Sequence, residues 1–132
     1  MIKKTVTYTD LNGKERTETH YFHFYESEIM EMELSVEGGF AARVQKMIDA
    51  QDQPSLIAVI KKFVLDAYGV KSDDGRQFIK NDAVRSAFVQ SPAYSKIFME
   101  LVLNDLVAAE FVKGVVPDDM QGKVAAAMVA KN

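Results

Sequence analysis

The 132-residue chain contains no cysteine and no tryptophan, and only two histidines and three prolines. Without cysteine there is no disulfide framework, no thiolate metal site and no thiol nucleophile, and a cytoplasmic protein is the simplest expectation. No stretch of about 18 consecutive apolar residues occurs, so no membrane span is expected. The opening Met1-Ile2-Lys3-Lys4 runs straight into polar, threonine-rich sequence rather than the apolar segment of a secretion signal. Basic charge is also short: 16 Lys+Arg stand against 19 Asp+Glu, a formal charge of -3 with a pI near 5.4. Binding to a phosphate backbone depends on clustered cations that release counterions, so nucleic acid is not an expected partner.

Motifs that carry chemistry are missing as well. Gly13-Lys14 and Gly122-Lys123 are each followed by the wrong residue and preceded by no second loop glycine, so neither forms a phosphate cradle. Asp73-Asp74-Gly75 lacks the alternating oxygens and the distant bidentate Glu of a calcium loop, and reads as a turn. His20 and His23 sit three apart on an expected strand and point to opposite faces, which keeps one metal ion from taking both. Glu26, Glu28, Glu31, Glu33 and Glu37 read mostly as the solvated side of a helix. There is no Gly-x-Ser-x-Gly elbow. No catalytic, cofactor-binding or metal-ligating residue is therefore assigned, no cofactor is expected, and the chain is not read as an enzyme.

What is present is material for a core: 48% hydrophobic residues, with Phe 8, Tyr 5 and Met 7. A chain of this length suits one domain that buries roughly two thirds of its unfolded surface. Ile2, Val6 and Tyr8 alternate with Lys3, Thr5, Thr7 and Thr9, the period of a half-buried strand. Asp10-Leu11-Asn12-Gly13 supplies a turn, and Glu15 to Phe24 returns as a second strand. The spacing then predicts a short helix capped by Ser27, with Ile29, Met30 and Leu34 on one side. After the Gly38-Gly39 break, Phe40, Val44, Met47 and Ile48 mark another helix. Pro54 opens a third, with Ile57, Ile60, Val64 and Ala67 as its buried stripe and Phe63 widening it. Tyr68-Gly69-Val70 and Gln77-Phe78-Ile79 flank a tight turn and can pair as a second hairpin.

Asn81 caps a helix carrying Val84, Ala87 and Phe88. Ser91-Pro92 opens one carrying Tyr94, Ile97, Phe98, Leu101 and Val102, and the two are expected to pack together. Asn104 starts a last helix through Leu106, Val107, Glu110 and Phe111, which Gly114 is expected to close with a left-handed cap. The expected fold class is α+β: an N-terminal β-hairpin over 2–24, then a predominantly helical region of about five to six short helices from about residue 27, in one domain over 1–117. Residues 118–132 carry Met120, Val124, Ala127 and Met128 at helical spacing, an amphipathic helix or flexible tail. For this segment contact with a partner or subunit stands beside packing back on the domain and disorder. Flexible methionines suit adaptable protein contacts, so Phe111, Val115, Val116, Met120, Val124 and Met128 are the candidate protein-binding residues.

Several stretches resemble a known family in order and spacing. They are the strand over residues 4–10, Glu31-Met32-Glu33-Leu34-Ser35 with Glu37-Gly38-Gly39, and Ala67 through Phe78. Further along come Phe88, Ala93-Tyr94, Phe98-Met99-Glu100-Leu101 and Phe111 through Pro117. Together they are similar to the tail assembly chaperones of long, non-contractile-tailed bacteriophages and related prophages, over most of the chain. The resemblance implies a non-catalytic protein of the host cytoplasm, absent from the mature virion. Such a protein coats the helical tape measure protein, keeps it soluble, and is released as tail tube protein polymerises around it. It also implies self-association, and a short form of a gene with a frameshifted longer product; the codons of Gly122-Lys123 or Lys131-Asn132 are candidate slippery sites. The competing reading is a small structural subunit of a phage tail, a completion or connector protein; an enzyme or host-enzyme inhibitor ranks behind both.

Overall fold

The computed structural model describes residues 1–35 and 37–115. Val116, Met120, Val124, Met128 and the expected 118–132 segment lie outside the described residues. The fold is α+β, with strands β1 (Ile2–Thr9), β2 (Glu15–Phe22), β3 (Tyr68–Lys71) and β4 (Phe78–Ile79). The helices are α1 (Glu26–Leu34), α2 (Phe40–Asp49), α3 (Gln53–Ala67), α4 (Asp82–Val89), α5 (Pro92–Leu103) and α6 (Asp105–Val115). The strands form one antiparallel sheet in the order β1-β2-β3-β4.

The hairpin forms where alternation and turn chemistry agree. Asp10 accepts from the amides of Asn12 and Lys14, both at 2.9 Å, and from Arg16 Nε at 2.6 Å. Gly13, not Asn12, takes the positive φ of 83°. On the outer face Thr5 pairs with Thr19 and Thr7 with Thr17 through hydroxyls 2.9 and 3.0 Å apart. The inner face presents Ile2, Val6, Tyr8 and Phe22 to the helices. The second hairpin forms as expected, around a turn in which Asp74 accepts from Ser72 Oγ and Arg76 N.

Phe22 is fully buried, with Phe111, Tyr68 and Phe88 rings at 5.1, 5.7 and 5.8 Å. Tyr68 and Phe88 stack at 3.9 Å and 9°. Ile97 and Leu101 of α5 and Val64 of α3 complete this core. Burial of several such rings, each contributing about 1.5–3 kcal/mol by area, is the main term holding sheet to helices. The α4–α5 packing follows from Phe88 meeting Tyr94 edge-on at 5.4 Å.

Several expectations need correction. The first helix starts after Tyr25, whose amide donates to Glu28 Oε1 at 2.9 Å, so Ser27 is not the cap. In that helix Ile29 is buried, whereas Met30 and Leu34 are exposed; Met32 supplies the second inward contact. In α3 the stripe holds Leu56 in place of Ile57. Ala87 of α4 and Leu106 of α6 are exposed. Gly114 lies inside α6 without a positive φ. Its role is steric: a Cβ there would sit 2.9 Å from Ile2 Cδ1 and 3.2 Å from Ile2 Cβ.

Candidate functional site

Helix α2 packs against both α1 and α3, and the three helices frame an open space. The sharp break at Gly38-Gly39, both with positive φ, turns the chain between α1 and α2, and Gln51 with φ 55° turns it again into α3. Asp52 caps that helix through the Ser55 amide. Between the three helices lies a groove of about 690 Å³. Its apolar lining is Phe24, Met32, Phe40, Met47, Val59 and Phe63, with Ala58 beside them. Charged side chains of both signs complete the lining: Glu28, Glu31 and Asp66 against Arg43, Lys62, Lys80 and Arg85.

Lys80 anchors the inner end. Its ammonium donates to His23 O at 2.8 Å and to Glu28 Oε2 at 2.7 Å, and stands 4.6 Å from the Phe24 ring centre. Burial pushes its pKa down, while the Glu28 partner opposes that shift. A largely buried cation against an aromatic face and a carboxylate fixes the meeting of strand end and helix start. On the other wall Asp66 bonds Lys62 at 2.6 Å and lies 3.8 Å from Arg85, which also donates through Nε to Leu65 O.

The hydroxyl groups that line the groove are engaged locally. Ser35 Oγ donates to Met32 O and Ser55 Oγ to Asp52 Oδ2, so both lining serines serve helix ends. Among the described residues no group of three or more His, Asp and Glu is placed to hold a metal. His20 and His23 separate as expected: His20 lies between Tyr68 and Phe88, and His23 against Tyr25 and Phe78. Burial lowers the pKa of both.

The family model for phage tail assembly chaperones matches residues 1–132, the whole chain. The chain belongs to that family. No curated protein and no solved structure matches it.

Of the residues picked out for partner contact, Phe111 and Val115 fall in the core of this chaperone, 2% and 1% exposed. Phe111 meets Phe22 edge-on at 5.1 Å, and Val115 O accepts from Phe24 N at 3.0 Å. The groove residues Met32, Val59, Lys62 and Lys80 were not singled out by sequence. The one available signal was the i, i+4, i+7 spacing of Glu28, Met32 and Ser35, which puts all three on one side of α1. Phe40, Met47 and Phe63 belong to apolar stripes in the sequence, and stripes alone do not reveal that three helices leave a space between them.

Proposed function

We propose that this tail assembly chaperone binds the tape measure protein without catalysis, keeps it soluble while the tail tube assembles, and holds one of its amphipathic helical segments in the α1–α3 groove. The observation that supports the groove is its lining: adaptable Met32 and Met47 beside Phe40 and Phe63, together with charges of both signs. An amphipathic helix offers the complement, an apolar stripe with charged flanks, and methionine lets one groove accept several such stripes. Coating a long helical partner calls for many copies held by weak contacts that reinforce one another, so self-association belongs to the proposal. The chaperone then works in the host cytoplasm, leaves before the virion is complete, and can contact tail tube protein at release.

The test is co-expression with the tape measure protein from the same phage or prophage. The wild-type chaperone should raise its soluble yield and elute with it. Ala58→Arg fills the groove from an exposed position on α3 and should abolish both effects while leaving the melting temperature within a few degrees. Unchanged tape measure solubility with and without the wild-type protein would favour a structural tail subunit instead. Mass spectrometry of purified particles separates the same two readings, since a structural subunit stays in the virion.

A further inference from the structure

We infer that the outer edge of β1, which no strand among the described residues pairs, is a pairing site for β1 of a second copy, joining two sheets across a two-fold axis. Asp10 N donates to Lys14 O at 2.8 Å, which makes that pair a hydrogen-bonded one. Bonding then recurs at every second residue, so the even residues of β1 bond β2. On β2 the odd side turns the other way, as the bond from His23 N to Ala67 O shows. The amides and carbonyls of Lys3, Thr5, Thr7 and Thr9 therefore point away from the sheet. Among the described residues one group meets this row: Lys96 Nζ, exposed on α5, donates to Thr7 O at 3.0 Å.

An eight-residue strand with such a row is a template for another strand. A second copy fits it. In the antiparallel register centred on Val6, Thr5 lies opposite Thr7 of the other copy and Lys3 opposite Thr9, while Lys4 lies opposite Tyr8, so no lysine faces a lysine. The threonine hydroxyl pairs on the outer face, Thr5 with Thr19 and Thr7 with Thr17, would then run on from one copy into the next. Lys96 acts as the guard of this edge, since a lysine there must give up its bond before a strand can add. The inference rests on the self-association proposed above and names its surface; it is independent of what fills the groove.

Four variants, one of them a control, test it in the full chain. Val6→Cys puts the only thiol of the chain beside its own copy in a non-hydrogen-bonded pair about 4.5 Å apart at Cα, within disulfide reach. Mild oxidation should give a covalent dimer, and Leu11→Cys at the exposed hairpin tip should not. Thr5→Pro removes an outward N–H that the hairpin does not use, and should weaken dimerisation by about tenfold or more in light scattering. Lys96→Ala frees Thr7 O and should strengthen it. If oligomers form but Val6→Cys stays uncrosslinked and Thr5→Pro changes nothing, copies meet elsewhere and the inference falls while self-association stands. A wild-type chain that remains monomeric at high concentration overturns both, whereas co-elution of tape measure protein reports on the groove separately.

Discussion

At the scale of single residues, the clearest consequences come from atoms with no room or no partner. Gly69 lies beneath Phe78, and a Cβ there would meet Phe78 Cε2 at 2.6 Å and Ile79 O at 3.0 Å. Gly69→Ala should therefore destabilise the protein by about 1–3 kcal/mol, read as a lower midpoint in urea. Among the described residues His20 Nε2, 3.7 Å from Glu18 Oε1, and His23 Nδ1 are buried without a hydrogen-bond partner, and burial holds both pKa values below the ordinary 6.5. A histidine whose folded pKa is depressed takes up its proton more readily when unfolded. Stability is then full at pH 7 and falls as pH drops through about 6.5 toward 5. Denaturant titrations at those pH values check the sign, and a flat or rising profile would contradict it.

At the scale of elements, caps and periods were legible and faces less so. Asn81, Ser91 and Asn104 accept from the amides expected of helix caps, because capping is a local contest that sequence displays. Choosing between Leu56 and Ile57, or between Met30 and Met32, needs the direction from which neighbours approach, which is a tertiary matter. Gly114 shows the same limit: its sequence context suggested a helix stop, and the close approach of Ile2 gives it another use. In α6, Phe111→Ala should cost about 3–5 kcal/mol. The exposed Leu106→Ala should stay within about 0.5 kcal/mol, and thermal melts of the pair distinguish a packing role from a surface one. Lys80→Met should lower stability by about 1–3 kcal/mol, because Glu28 and His23 O lose their shared donor.

At the scale of the whole molecule, the hairpin and its helices build a rigid aromatic core on one side of α3 and leave a groove on the other. The family could be read from scattered stretches taken in their order and spacing, without any short motif. The groove could not, because it is a space framed by α1, α2 and α3, and a space between elements has no sequence signal of its own. The most direct test is NMR mapping of the folded chaperone titrated with an amphipathic helical segment of the tape measure protein. The account predicts that the largest shifts fall on Glu31, Met32, Phe40, Met47 and Val59, and that Ala58→Arg removes them. Shifts confined to other surfaces, or none at saturating peptide, would contradict the groove as the site of binding.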